Sequence, residues 1–184
     1  NNCRSLQNFK VPDSVTEIAG KAFYDCHNLE SMTIGNSVIS IGTNAFYGCT
    51  GELKIDSKIV ENDYYYQWPP SSDGWLKGSN FSELTIGSSI NSIGSSAFQS
   101  CSSLTSVKIS DSVKSIGSRA FKSCDKLTNL MIGNCVTSID VEAFDGCSSL
   151  TSVTIPKSVT SIEWDAFNCV NLTSFYCKPT TPPN

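Results

Sequence analysis

One motif returns every 23 residues through most of this chain, and no other feature constrains the fold as tightly. The pair Ala-Phe stands at Ala22-Phe23, Ala45-Phe46, Ala97-Phe98, Ala120-Phe121, Ala143-Phe144 and Ala166-Phe167, with four of the five intervals equal to 23. The fifth is 52, which is two periods plus six. An isoleucine precedes each pair at Ile18, Ile41, Ile93, Ile116, Ile139 and Ile162. A cysteine follows at Cys26, Cys49, Cys101, Cys124, Cys147 and, one residue early, Cys169; Cys3 continues the series backwards. Self-similarity at this period is the mark of a stacked repeat architecture.

Each period has a physical reading. In Leu104-x-x-Val107-x-Ile109, Val107 and Ile109 fall on one side of a short strand and Lys108 on the other. Val113 and Ile116 mark a second extended stretch after a turn at Ser110-Asp111-Ser112, whose small polar side chains bond their own backbone. Ala120, Phe121 and Cys124 have the spacing of a single helical or 3-10 turn. A coil of this kind cannot bury its apolar face alone, so stacking on its neighbours must do it. The expected fold is a solenoid of 23-residue coils with short parallel strands and short helical or 3-10 turns.

The runs Cys147-Ser148-Ser149-Leu150-Thr151-Ser152-Val153-Thr154-Ile155-Pro156 and Ser161-Ile162-x-x-x-Ala166-Phe167 resemble the BspA-type leucine-rich repeat. The resemblance covers nearly the whole chain. It implies a leucine-rich repeat solenoid of the right-handed β/α superhelix class, belonging to a bacterial (often Bacteroides-like) or protozoan protein on the cell surface or secreted. It also implies adhesion to host proteins or other cells, and it supplies no catalytic residue to carry over. Residues 1–184 read as one solenoid domain. The chain opens inside a period at Cys3, and Tyr176-Cys177-Lys178-Pro179-Thr180-Thr181-Pro182-Pro183 resembles a bridge between repeats. Both ends therefore suggest a fragment of a longer chain, with neighbouring repeats or domains.

Composition narrows the functional classes. Charged residues make up 16% and the net charge is −4, so the basic face expected of a nucleic-acid binder is missing. No run of about 18 apolar residues is present to span a membrane. The 31 serines and 14 threonines fall mostly at outward and turn positions of the repeat. A charge repeated in every coil would sit beside its own copies and repel them, which favours neutral hydroxyls there.

The period breaks once, in a degenerate coil at about residues 50–83. By spacing, Gly74-Trp75 takes the Ala-Phe place, with Trp75 buried, Gly78 the Cys place and Phe81 the Leu place. Within it lies Glu61-Asn62-Asp63-Tyr64-Tyr65-Tyr66-Gln67-Trp68-Pro69-Pro70, which follows neither strand nor helix periodicity. Tyr64, Tyr65, Tyr66 and Trp68 are candidate contacts for a sugar or peptide, since aromatic rings give large contact area at small entropic cost. The alternative is that they fold back over the longer coil. The second candidate surface is the outward side of the strands. One row should read Asn8, Ser31, Glu52, Glu83, Ser106, Asn129, Ser152, Ser174, and the next Lys10, Thr33, Lys54, Thr85, Lys108, Met131, Thr154, Tyr176. From these, Lys54, Thr85 and Lys108 are the candidate binding residues.

Nothing converges on catalysis. The repeated cysteines read as small buried apolar residues rather than a disulfide framework, because their spacing is simply the repeat. Zinc would need close ligand pairs, and there is no C-x-x-C and a single histidine, His27, at a coil corner. Glu61 and Asp63 could form a carboxylate pair, without further support. No G-x-S-x-G elbow or phosphate-cradling glycine run occurs. Asn80-Phe81-Ser82 and Asn171-Leu172-Thr173 match the glycosylation sequon, a weak signal. The expectation is a non-enzymatic module that uses no cofactor or metal and binds a host extracellular protein or glycan. The alternative is a structural spacer that carries another domain.

Overall fold

The computed structural model describes residues 3, 5–42, 44–61, 76 and 78–177. One face is built from β1 (Asn8–Lys10), β3 (Ser31–Ile34), β5 (Thr50–Ile55), β6 (Asn80–Ile86), β8 (Ser106–Ile109), β10 (Asn129–Met131), β12 (Ser152–Ile155) and β14 (Ser174–Cys177). The first six form one sheet in chain order, and β12 and β14 pair separately. A second, narrower face carries β2 (Glu17–Ile18), β4 (Ser40–Ile41), β7 (Ser92–Ile93), β9 (Ser115–Ile116), β11 (Ser138–Ile139) and β13 (Ser161–Ile162). Every pairing is parallel and joins equivalent places of successive coils, as in Leu84↔Val107 and Ile116↔Ile139. The chain is a stack of coils, as the repeat requires.

The places read as inward are the core. Val107, Val113, Ile116, Ala120, Phe121 and Cys124 are all fully buried, and most of the same places in other coils join them in one continuous cluster, whereas Ala22 and Ile162 are exposed. Stacking sets equivalent side chains into ladders. The rings of Phe98, Phe121, Phe144 and Phe167 lie 5.1, 5.2 and 5.0 Å apart, nearly parallel. This offset stacking adds to what the buried area alone provides.

The third side departs from the helical turn expected from the spacing. Arg119 and Ser123 have φ of +59°, and Lys21 with Asp25, Ser96 with Ser100, and Glu142 with Gly146 repeat this left-handed pair around Ala-Phe. A left-handed residue ends any right-handed helix, so each segment is a run of tight turns. The geometry turns main-chain groups toward the next coil. The N–H groups of Arg119, Phe121 and Ser123 donate to the carbonyls of Val141, Ala143 and Asp145 at 3.0, 2.8 and 2.8 Å. Spacing of apolar residues alone does not distinguish this from a helical turn, because both place Ala, Phe and Cys inward. Among the described residues the only 3-10 helix is Lys58–Glu61.

The degenerate coil is shifted by one residue from the expected register. In normal coils the residue before the cysteine is left-handed, and here Gly78 has φ +72°, matching Gly48 (+74°) before Cys49 and Gly146 (+73°) before Cys147. Ser79, rather than Gly78, therefore stands in the cysteine's place. Leu76, 1% exposed, takes the Phe place, and Ser79 N–H donates to the Leu76 carbonyl at 3.0 Å as Cys49 does to Phe46. Gly74 and Trp75 lie outside the described residues. Phe81 is buried in the Leu place as expected and meets the Phe46 ring edge-on at 6.1 Å.

The hydroxyls have a structural role beyond small size. Thr105, Thr128, Thr137 and Thr160 each donate their Oγ1–H to the carbonyl 23 residues earlier, at 3.0–3.2 Å. Ser158 and Ser112 donate to the carbonyls of Val136 and Ile90, 22 residues earlier, at 2.7 Å. Serine and threonine thus tie one coil to the preceding one at its corners, where a long side chain could not reach back so closely.

Candidate binding surface

On the strand face both outward rows form in the expected register. Asn8, Ser31, Glu52, Glu83, Ser106 and Asn129 are successive partners, and so are Lys10, Thr33, Lys54, Thr85, Lys108 and Met131. Ser152 pairs with Ser174 and Thr154 with Tyr176. The structure brings Lys54, Thr85 and Lys108 side by side on β5, β6 and β8. Two strand steps separate the two lysines, about 10 Å between backbones. Lys54 lies 3.3 Å from Asp56, while Lys108 is exposed and has no ion-pair partner among the described residues.

Acid and base alternate across the rows. Glu52 and Glu83 are direct neighbours, and Thr85 Oγ1 donates to Glu52 Oε1 at 3.4 Å. Like charges set directly opposite destabilise a sheet, so this pair is a local departure from the neutral, hydroxylated rule. A second charged cluster lies on the turn side. Glu142 Oε2 accepts from Arg119 Nε at 2.8 Å and from Lys122 Nζ, which also reaches Asp145 at 2.8 Å. The Arg119 guanidinium, then the Lys122 ammonium, hold the Glu142 carboxyl below the usual carboxylate range.

Tyr64, Tyr65, Tyr66 and Trp68 lie outside the described residues, as does Asp63. Glu61 is tied down: its Oε1 accepts from the Asn91 N–H at 2.7 Å. His27 is exposed at the coil corner, and its carbonyl accepts from Thr50 Oγ1 at 2.8 Å.

The nine cysteines are free thiols. Six of the seven in the repeated place are buried, and Cys49, Cys124, Cys147 and Cys169 donate S–H to the Phe carbonyl of the preceding coil at 2.9–3.4 Å. Burial pushes the thiols of Cys49 and Cys124 up to about 12. Groups so far from ionisation serve packing rather than nucleophilic chemistry. Among the described residues no cluster of three metal-ligating side chains occurs, and no helix is long and apolar enough to cross a membrane.

The sequence matches the BspA type leucine rich repeat region in six copies, over residues 1–65 and 72–181. The chain belongs to the BspA-type leucine-rich repeat family. Solved structures share this family's fold. A Treponema pallidum leucine rich repeat protein is 25% identical with a TM-score of 0.57, over 91% of this chain and 78% of that one. A leucine rich cell surface protein of Faecalibacterium prausnitzii is 23% identical with a TM-score of 0.51, over 97% of this chain. The present chain spans 61% of that protein's length. A Bacteroides capillosus leucine-rich repeat protein is 27% identical with a TM-score of 0.51, over 53% of this chain and 78% of that one. None of the curated proteins matches the sequence. BspA-type repeats therefore account for the scaffold, and the outward rows are what this chain places upon it.

Proposed function

We propose that this chain is a non-enzymatic binding module of a bacterial cell-surface or secreted protein, adhering to a host extracellular protein or glycan. The observation that supports this reading is the unbroken pairing of the two outward rows from β1 to β10, which displays Lys54, Thr85 and Lys108 in one line. A flat row of fixed donors and charges suits many weak contacts with an extended partner, the common use of a solenoid surface. Tyr64, Tyr65, Tyr66 and Trp68 supply a second contact in this reading.

The test is binding to protein and glycan arrays with three proteins side by side. These are the native chain, a Lys54→Ala/Thr85→Ala/Lys108→Ala variant, and a variant with Tyr64, Tyr65, Tyr66 and Trp68 changed to Ser. A reproducible binder that the first variant loses supports the strand face, and one that the second loses supports the aromatic segment. Absence of any reproducible binder overturns the reading and leaves a structural spacer.

A further inference from the structure

The cysteine ladder ends on a pair unlike the rest. At the other corners the cysteine follows the Phe by three residues, with a left-handed residue such as Asp25, Ser100, Ser123 or Gly146 just before it. Cys169 follows Phe167 by two, and Asn168 before it is not left-handed. Its N–H donates to the Phe167 carbonyl at 2.7 Å, where Cys147 N–H reaches back to Phe144 at 3.3 Å. The thiol nonetheless keeps its rung. Cys169 Sγ donates to the Phe144 carbonyl at 3.2 Å, as Cys147 Sγ does to Phe121 at 3.3 Å. Cys169 is 8% exposed, whereas Cys124 and Cys147 are sealed.

The two thiols are close enough to join. Phe144 N–H donates to the Ala166 carbonyl at 2.8 Å and Gly146 N–H to the Asn168 carbonyl at 3.1 Å. The coils therefore run one hydrogen-bonded step apart right up to the cysteines. Such a step is about 4.8 Å, inside the roughly 4.4–6.8 Å that a disulfide spans between Cα atoms. The Cys147 S–H is bonded to the Cys169 sulfur and favours its thiolate, drawing the Cys169 pKa below the ordinary 9.0. The same bond, with burial, pushes Cys147 up.

These two coils also share the one open step of the strand face. Every other consecutive pair of strands from β1 to β14 on that face carries a parallel ladder, but β10 ends the six-stranded sheet and β12 pairs with β14 alone. A crosslink between Cys147 and Cys169 ties together coils that the strand face leaves unjoined.

We propose that Cys147 and Cys169 are a redox pair whose disulfide staples the two coils across this open step. The Cys169 thiolate attacks one sulfur of a low-molecular-weight disulfide such as oxidised glutathione, forming a mixed disulfide and releasing one glutathione thiolate. The charge that held the Cys147 proton is then gone. Cys147 passes that proton to the released thiolate and attacks the Cys169 sulfur, expelling the second glutathione. Two protein thiols are oxidised to one disulfide, and the reagent disulfide is reduced to two thiols. Closing residues 147–169 into a loop restricts the unfolded chain and so stabilises the folded one. The inference is independent of what the strand face binds.

The test equilibrates the native reduced chain with oxidised and reduced glutathione, quenches in acid, and maps the digest by mass spectrometry. The expected result is a linked Cys147–Cys169 peptide, with the exposed Cys3 and Cys177 carrying glutathione as internal controls. The thermal midpoint should rise by about 5–10 °C, and dithiothreitol should reverse the rise. Cys147→Ser should stop at a glutathione adduct on Cys169 with no such rise, and Cys169→Ser should leave Cys147 unmodified. A Cys124–Cys147 bond instead, a lasting glutathione adduct on Cys169 of the native chain, reduced thiols at both places, or a linked chain with an unchanged midpoint would each overturn the proposal.

Discussion

Phe121 and Phe144, one period apart in the chain, stack with ring centroids 5.2 Å apart and planes within 1° of parallel. Both rings are fully buried, and each also contacts the Phe of the coil beyond. The contact expresses the repeat directly: a residue is stabilised by its own copy in the next coil, so the loss of one copy weakens two interfaces.

Phe121→Ala should accordingly destabilise the chain by about 3–5 kcal/mol, the usual cost of removing a fully buried ring. Phe167→Ala, in a half-buried place near one end, should cost less. Urea denaturation of both variants checks the order, and equal losses would contradict the ladder description.

Gly51 shows how the short side of the irregular coil is accommodated. It has φ +89° beside a register shift in the β5–β6 pairing, and a Cβ there would lie 2.4 Å from the carbonyl oxygens of Leu29 and Glu30. Gly51→Ala should destabilise by more than the roughly 1–3 kcal/mol of a strained backbone alone, because the contact is with main chain that cannot move aside. A thermal melt of the variant against Gly87→Ala is informative. At Gly87 the nearest obstacle is the Asp56 side chain, which can turn away, so the loss should be smaller.

Most of the scaffold was legible in the sequence because a stacked repeat obeys one rule many times. The V-x-I places, the Phe and Cys ladders and both outward rows follow from the 23-residue step, as Leu84↔Val107 and Thr85↔Lys108 illustrate. Three features were not legible. The left-handed residues before Ala and Cys are mostly Lys, Asn, Asp, Arg, Ser and Glu rather than Gly, so composition gave no sign of them. The register of the irregular coil turned on one residue, which Gly78 in the left-handed place decides only once its φ is known. The corner hydroxyl bonds were read as mere small polarity, since nothing in spacing shows that a carbonyl lies within reach one coil back.

Thiol reactivity should divide the cysteines by place. With the Cys49 and Cys124 thiols near 12, the thiolate fraction at about pH 8 is on the order of one in ten thousand, and burial excludes reagent as well. Cys147 is pushed up too, by its hydrogen bond with Cys169 and by burial. Iodoacetamide on the native protein should label the exposed Cys3 and Cys177 first, and all nine thiols only in denaturant. Mass spectrometry of the digests would refute this if Cys49 or Cys124 were labelled as fast as Cys177.

The Arg119–Glu142–Lys122–Asp145 network should make stability depend on pH at both extremes. The Glu142 pKa lies below its ordinary 4.5 because Arg119 and Lys122 bond the charged form. A lowered carboxylate pKa stabilises the fold above the unfolded value, and the contribution disappears as pH falls through the folded one. Lys122 lies above its ordinary 10.5, through Asp145 first and Glu142 second, so its contribution is complete below that value and fades as pH rises beyond it. The Glu142 and Lys122 side chains are 13% and 28% exposed and Arg119 is 40% exposed, so solvent screening limits the network to about 1 kcal/mol. Glu142→Gln should therefore lower the urea midpoint slightly between about pH 5 and about pH 10. The difference from the native chain should shrink as pH falls through the lowered Glu142 pKa, below which both carry a neutral side chain. A difference that persisted undiminished into acid would show that Glu142 acts through packing rather than through its charge.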